Sequence, residues 1–254
     1  MNMTVAPHHS SFRTEARLSG LAPGLARPRA VALPIVEDEP EDELATLDAL
    51  GTGRRLGRGQ ELFAEGDPAG SYFKVLTGAV RLLRLMPDGR RHVVDFLVAG
   101  DYFGFSPQAA YPYSAEAVID STVTCVPRRG VEQLLGRRPG LARRLLELLS
   151  RELSSAQDQL LLLGRKNAQE RLASFLLMRL ERAGDPGGAR PQIELFMSRT
   201  DIADHLGLTI ETVSRSLTQL RREGIIALPT ANQVVILKRA ALERLQQGYD
   251  GADA

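Results

Sequence analysis

The chain has 254 residues, of which 43% are hydrophobic and 25% charged, and its formal net charge is +1. This composition is that of an ordinary globular protein, and the length allows one large domain or two smaller ones. The near-neutral charge excludes a protein that is basic over its whole surface, and the single cysteine, Cys125, excludes an intrachain disulfide and an all-cysteine metal site within one chain.

The first part of the chain, residues 1–43, mixes Pro, Ala, Arg and Ser without helical or strand periodicity and ends in the acidic run 37–43. We expect a mobile, solvated extension here. The N-terminal residues lack the apolar core of a signal peptide, and no stretch approaches the roughly 18 apolar residues of a membrane span. The sequence therefore predicts a cytoplasmic protein without membrane contact.

Residues 44–138 carry short β-branched and aromatic runs that are separated by turn signals. After a short amphipathic helix before Gly51, the runs recur at a spacing of roughly 8–12 residues, which is typical of an antiparallel sandwich or roll. Pro87-Asp88-Gly89 predicts a hairpin, because glycine can supply the positive φ that such turns need. We interpret this region as a β-roll domain.

Residues 139–164 are rich in leucine and predict one long helix. Apolar residues recur at spacings of three and four, which is the pattern of a coiled-coil seam. The predicted seam consists of Leu146, Leu149, Leu153, Ala156, Leu160 and Leu163. A core helix of a single domain is the alternative, but the polar residues on the other faces favour a dimer seam.

Residues 165–242 are the basic part of the chain and contain the spacing of a helix-turn-helix. Ser198 can cap a helix that ends at Gly207, and Thr209 can cap a second helix after a three-residue turn. The segment 225–237 then predicts the hairpin of a winged variant. Residues 243–254 are interpreted as a C-terminal tail.

Three polar residues of the second helix share one side of it. With Val213 and Leu217 buried, Glu211, Ser214 and Arg215 must face outward together from the half of the helix that enters the major groove in this motif. Arginine can donate to guanine and glutamate can accept from cytosine. A weak ion pair within the helix is the alternative interpretation. Contacts with the DNA backbone, or a positioning role, are predicted for Ser198, Arg199, Thr200, Thr209 and Thr212.

With these motifs, the chain resembles the CRP-FNR superfamily of bacterial transcription regulators over about residues 50–240. The resemblance is carried by the segments 201–215 and 160–175, and by Phe63-Ala-Glu-Gly-Asp67 with Tyr72 and Gly78. It implies an α+β protein with an N-terminal antiparallel β-roll like that of cyclic-nucleotide-binding domains, a long dimerisation helix and a C-terminal winged helix-turn-helix. The implied partners are a second copy of the chain, palindromic double-stranded DNA and RNA polymerase.

The reading helix resembles the FixK and Fnr group within that superfamily. The cyclic-nucleotide branch has arginine and glycine where this chain has Ile210 and Ser214. The resemblance implies a TTGA-type half-site in which Arg215 reads guanine, Glu211 reads the complementary cytosine or a neighbouring adenine, and Ser214 reads the outer thymines. It also implies an activator of genes that respond to low oxygen or nitrogen oxides.

The same resemblance bears on what the roll binds. The segment 100–116 lacks the arginine that neutralises a cyclic phosphate, and residues 1–50 lack the cysteines of an iron-sulfur cluster. His92 is a lone strand histidine, which disfavours haem. Cys125 is interpreted as a small apolar strand residue, with a redox-reactive thiol as the alternative. We expect no cofactor.

Two other function classes can be weighed against this interpretation. An enzyme would need a phosphate-binding loop, a nucleophile motif or a paired-histidine motif, and the sequence has none of these. A ligand-gated or redox-gated repressor of the same superfamily, sensing haem or a small molecule, is the stronger rival.

Overall fold

The computed structural model describes residues 43–183 and 191–248. The predicted extension, apart from Glu43, and the last six residues of the predicted tail lie outside the described residues. Within them, a β-roll, a long helix and a winged helix-turn-helix follow one another in the predicted order. No helix of this described part is long and apolar enough to span a bilayer.

The roll consists of two four-stranded antiparallel sheets flanked by short helices. The strands are β1 Thr52–Leu56, β2 Glu61–Phe63, β3 Ser71–Thr77, β4 Ala79–Leu85, β5 Arg91–Val98, β6 Tyr102–Phe103, β7 Ser114–Ala117 and β8 Ser121–Pro127; the helices are α1 Ala45–Leu50 and α2 Arg128–Leu135. One sheet has the order β1-β8-β3-β6 and the other β2-β7-β4-β5. This confirms the predicted antiparallel roll.

Aromatic rings fill the space between the two sheets. The ring centroids of Phe63 and Tyr111 are 3.8 Å apart, and Phe73 lies 5.2 Å from both Phe63 and Phe103. Phe103 is fully buried, and Phe63 and Phe73 are nearly so. Stacked aromatic rings add to the stabilisation from the apolar area that they bury, so the roll has a packed aromatic interior.

Gly78 lies where strand β4 begins, at a close approach to the start of β8. Its φ is +83°, and a Cβ there would stand 2.5 Å from the Asp120 carbonyl oxygen and still closer to the Ser121 hydroxyl. Gly78→Ala is therefore expected to lower the free energy of unfolding by about 2–4 kcal/mol, since left-handed backbone strain and overpacking combine.

Gly89 provides the matched control for this prediction. It has the same φ of +83° but has no atom within 4 Å of a built Cβ in the described part of the chain. Gly89→Ala should thus lower the free energy of unfolding by only about 1 kcal/mol, the cost of placing alanine in the left-handed backbone conformation. Chemical denaturation of the two variants checks this difference, and equal losses would contradict it.

A helix of 27 residues, α3 Pro139–Arg165, connects the roll to the C-terminal domain. It begins with proline at its first position, where the missing N–H is not needed. It matches the predicted helix over 139–164 with one more residue. Helix α4 Ala168–Arg182 follows after two residues, because Asn167 and Glu170 form a capping box that starts a new helix.

The C-terminal domain contains the two helices of the helix-turn-helix, a three-stranded wing and a final helix. These elements are α5 Arg199–Leu206, α6 Ile210–Arg222, α7 Arg239–Gln246, β9 Gln192–Glu194, β10 Ile226–Thr230 and β11 Gln233–Ile236. The predicted wing hairpin is β10 and β11, and β9 adds a third strand beside β11. The domain also extends past the predicted boundary at residue 242, because α7 buries Leu242 completely and runs to Gln246.

Strand β5 contributes to two apolar cores. Its residue Leu97 packs in the roll, whereas Val93 and Phe96 pack with apolar residues of the C-terminal domain. The Phe96 ring lies 6.4 Å from that of Phe175 on α4, edge to face. The roll therefore contacts the helix-turn-helix domain through a buried apolar surface.

Candidate nucleic-acid interface

Both helices of the helix-turn-helix begin at capping residues. The Ser198 hydroxyl accepts a hydrogen bond from the Asp201 amide at 3.1 Å, and the Asp201 carboxylate accepts one from the Ser198 amide at 3.1 Å. The Thr209 hydroxyl accepts from the Thr212 amide at 3.2 Å. Gly207, between the helices, has a φ of +61° and closes α5. The turn therefore has the three residues that the sequence predicts.

The predicted reading residues all lie on the exposed side of α6. Glu211, Ser214 and Arg215 are exposed, whereas Val213 and Leu217 are buried in the domain core. Within the described part of the chain, no ion pair joins Glu211 to Arg215, and the Arg215 guanidinium makes a long contact of 3.5 Å with the Thr212 hydroxyl. The two charged groups are thus available to an external partner.

The predicted backbone-positioning residues differ in their surroundings. Ser198, Thr200 and Thr209 are exposed, and Thr212 is half-buried beside the reading face. Arg199 is half-buried, and its Nη2 donates to the Ala231 carbonyl in the wing at 3.1 Å. Burial lowers the pKa of Arg199. Its guanidinium therefore contacts the wing in this chain, in addition to any role toward phosphate.

An ion-pair network, which the sequence did not predict, holds α5 against the roll. Arg81 on β4 and Arg91 on β5 each donate to the Asp201 carboxylate at 2.7 Å. Arg81 also binds Glu116 at 2.7 Å, and Arg91 binds Asp204 at 2.8 Å. Because the Asp201 side chain is only 4% exposed, these two arginines offset the cost of burying a carboxylate there. The network uses the side of α5 that faces the roll and leaves the exposed face of α6, with Glu211, Ser214 and Arg215, open.

His205 lies at the centre of this contact. Its Nδ1 is 3.0 Å from the Val93 carbonyl oxygen, and its ring lies 5.4 Å from Phe96 and 5.7 Å from Phe175. Burial lowers the pKa of His205. The neutral ring, with Nδ1–H donating to Val93, fits this apolar setting.

The burial of His205 predicts a pH dependence of stability. As the pH falls below about 6.5, the unfolded chain binds a proton at this histidine that the folded chain resists. The free energy of unfolding should then decrease by up to about 1.4 kcal/mol per pH unit from this residue. Urea denaturation between pH 7.5 and 5, at constant ionic strength, measures the slope.

Two variants isolate the contribution of His205. His205→Gln should lower the absolute stability but remove this part of the slope. His92→Gln, at a half-buried residue whose Nδ1 contacts the Asp204 carbonyl at 3.1 Å, should retain it. A His205→Gln protein with the slope of the unmodified chain would show that another group causes the pH dependence.

The predicted seam forms an exposed apolar stripe on α3. Leu146, Leu153 and Leu160 are 65%, 61% and 72% exposed. Leu149 and Ala156 are also exposed, whereas Leu163 is half-buried against the C-terminal domain. Leu161 lies outside the predicted seam and is 63% exposed. An apolar stripe of this length on a single chain is typical of an interaction surface.

The two residues weighed as sensor ligands have ordinary environments. Cys125 lies on β8, half-buried at the edge of the roll core, and burial raises the pKa of its thiol. His92 contacts the backbone of α5 as described above. Among the described residues, no group of three or more His, Cys, Asp or Glu side chains is arranged to hold a metal ion.

Comparisons with known proteins agree with this architecture. Residues 53–138 match the cyclic nucleotide-binding domain family, and residues 170–245 match the Crp-like helix-turn-helix domain family. The nitrogen fixation regulation protein FixK of Azorhizobium caulinodans is 43% identical over 212 residues, which cover 83% of this chain and 86% of that protein. The transcriptional activator protein FnrL of Cereibacter sphaeroides is 34% identical over 84% of this chain and 86% of its own length.

A solved structure has the same arrangement of domains. The structure of FixK2 from Bradyrhizobium japonicum superposes with a TM-score of 0.73 at 41% sequence identity, and the match covers 80% of this chain and 99% of that one. The roll, the long helix and the capped helix-turn-helix therefore have a common origin with those of the FixK proteins. The chain belongs to the CRP-FNR family of transcription regulators and is similar to its FixK members.

Proposed function

We propose that this chain is a homodimeric transcriptional activator that reads a TTGA-type inverted repeat and controls genes responsive to low oxygen or nitrogen oxides. The observation that carries the proposal is the exposed group of Glu211, Ser214 and Arg215 on the first half of α6. In a helix-turn-helix this half of the second helix enters the major groove.

The chemistry of these residues supports the proposed half-site. The Arg215 guanidinium can donate to O6 and N7 of one guanine, and the Glu211 carboxylate can accept from the amino group of cytosine. Ser214, between them on the same face, fits the outer thymines in the FixK and Fnr pattern. Glu211 and Arg215 form no ion pair with each other in the described part of the chain, so both side chains are free for these contacts.

The exposed stripe on α3 supports a dimer. Leu146, Leu153 and Leu160 follow the three- and four-residue spacing of a coiled-coil seam. Burying them against a second copy would place two reading helices about one DNA turn apart, roughly 34 Å, which matches a palindromic site.

The roll interior supports activity without a small-molecule ligand. Phe63, Phe73, Phe103 and Tyr111 occupy the space between the sheets with stacked rings. The raised pKa of the half-buried Cys125 thiol disfavours the reactive thiolate that a redox sensor needs. We propose that the roll acts as a structural platform and that RNA polymerase is the partner at the promoter.

In vitro transcription tests this proposal. A promoter with a TTGA…TCAA palindrome, RNA polymerase and the purified protein should yield transcript without any added ligand. Reduced and oxidised protein should be equally active, because we propose that the oxidation state of Cys125 does not control activity. Activity only after addition of a cyclic nucleotide, haem or a reductant would contradict ligand-independent function, and repression of the same promoter would contradict the activator assignment.

A further inference from the structure

Arg171, on the first turns of α4, connects the ends of two other helices. Its Nε donates to the Lys166 carbonyl at 2.8 Å, and its Nη2 donates to the Leu163 carbonyl at 3.0 Å. Its Nη1 donates to the Leu206 carbonyl at 2.9 Å and makes a longer contact of 3.5 Å with that of Gly207. The first two carbonyls lie at the end of α3, and the other two lie at the end of α5.

This placement is favourable for a cation. The last carbonyls of a helix have no partner within the helix and carry the negative end of its dipole. One guanidinium satisfies such carbonyls on α3 and α5 together, and its planar set of donors makes four contacts that a single ammonium group cannot reproduce. Arg171 thus joins the end of the long helix to the turn of the helix-turn-helix.

A second side chain of α3 contacts the same turn. Gln159 Nε2 donates to the His205 carbonyl at 3.0 Å, so three consecutive carbonyls, at residues 205–207, accept bonds from α3 and α4. Leu163 also approaches closely: a Cβ on Gly207 would lie 3.6 Å from Leu163 Cδ2 and 3.4 Å from Arg171 Nη1. The turn that precedes the Thr209 cap of α6 is therefore fixed to the last residue of the predicted seam.

We propose that Arg171 is a positioning residue that sets the distance and angle between the two reading helices of the dimer, and so determines which spacer length of an inverted repeat is bound. The inference rests on the proposed homodimer. Changing the spacer by one base pair moves a half-site by about 3.4 Å and rotates it by about 35°. A reading helix whose turn is tied to the seam should follow this movement less readily than one that only the contacts with the roll hold in place.

The experiment compares spacer profiles of the full-length protein and its variants. Dissociation constants are measured on duplexes whose TTGA inverted repeat has a spacer from two base pairs shorter to two longer, and on a duplex with a single half-site. The variants are Arg171→Gln, Arg171→Lys and Gln159→Ala, and the control is Arg165→Gln, which removes an exposed arginine at the end of α3. Sedimentation of each variant measures the dimer.

The unmodified protein should bind the best palindrome at least about 100-fold more tightly than the half-site, and a one-base-pair change of spacer should lower its affinity about tenfold. Arg171→Gln should remain a dimer with unchanged half-site affinity, but its discrimination between spacers should fall below about threefold. Arg171→Lys should discriminate between spacers better than Arg171→Gln but less well than the unmodified protein. Gln159→Ala should also reduce the discrimination between spacers, and Arg165→Gln should leave it unchanged.

A dimeric Arg171→Gln protein with the unmodified spacer profile would overturn the inference. If that variant does not fold, unchanged profiles in both Arg171→Lys and Gln159→Ala would overturn it as well. An unmodified protein that binds the palindrome no better than the half-site would contradict the proposed homodimer itself, which is a different result from a spacer preference that survives the loss of Arg171.

Discussion

Replacing Arg215 with alanine should weaken binding to a TTGA-type palindrome by about 1–3 kcal/mol per half-site. Arg215 is exposed on the outer face of α6 and lies next to Ser214, in the half of the helix that we propose meets the bases. Its loss should also reduce discrimination at one base pair, because the variant can no longer distinguish guanine from adenine there. Binding titrations on duplexes with the cognate guanine and with adenine measure both effects.

Arg222→Ala is the matched control for this prediction. Arg222 is exposed at the last turn of the same helix, so the variant loses the same charge away from the reading half. Any loss of affinity that it causes should be equal for both duplexes, since contacts with phosphate carry no sequence information. If Arg215→Ala also weakened the two duplexes equally, the assignment of Arg215 as a base-reading residue would be wrong.

Replacing Leu153 with glutamate should convert the protein to a monomer and lower its affinity for the palindrome by a factor of about 10²–10⁴. Leu153 is 61% exposed in the single chain, so the substitution leaves the fold of that chain largely intact. In a dimer, however, it would place two carboxylates in an apolar seam, where an unpaired charge is strongly unfavourable. Analytical ultracentrifugation and a binding titration measure the two effects together.

Arg151→Glu distinguishes the seam from a general effect of negative charge. Arg151 is exposed on the same helix but lies two residues away, on another face. This variant should remain a dimer, with at most a small electrostatic loss of affinity. A Leu153→Glu variant that sediments as a dimer would show that the dimer seam lies elsewhere on the surface. The exposed Leu161 would then be the next residue to replace.

The helix-turn-helix was predictable because its signals are local. Ser198 and Thr209 cap the helices, Gly207 takes the left-handed conformation of the turn, and the burial of Val213 decides which residues face out. Each of these depends on a few neighbouring residues. The strands of the roll, such as β4 and β5, were predictable because short β-branched and aromatic runs between turn signals are also local features.

Contacts between distant parts of the chain were not predictable from local patterns. Asp201 resembles an ordinary helix-capping residue in the sequence, yet it is also the partner of Arg81 and Arg91, which precede it by 120 and 110 residues. His205 likewise gives no local sign that Val93 and Phe96 will enclose it. Arg199 was predicted to contact phosphate, and its contact with the wing carbonyl of Ala231 depends on the fold of the hairpin.

Short elements were missed because tertiary packing, and not periodicity, stabilises them. Strand β9 has three residues and is defined by its pairing with β11. Helix α7 has eight residues, of which Leu242 is the one fully buried apolar residue, so the sequence showed no helical repeat beyond the predicted boundary. Isolated helices of this length are marginal in water, and contact with α4 supplies the missing stability.

We infer that the chain is a dimer that reads a TTGA…TCAA palindrome through Glu211, Ser214 and Arg215. The most direct test is an equilibrium binding titration of the purified protein, at about physiological ionic strength, on that palindrome and on a scrambled duplex of equal length and composition. The protein should bind the palindrome at least about 10³-fold more tightly than the scrambled duplex, without any added ligand. Equal affinity for the two duplexes would contradict it.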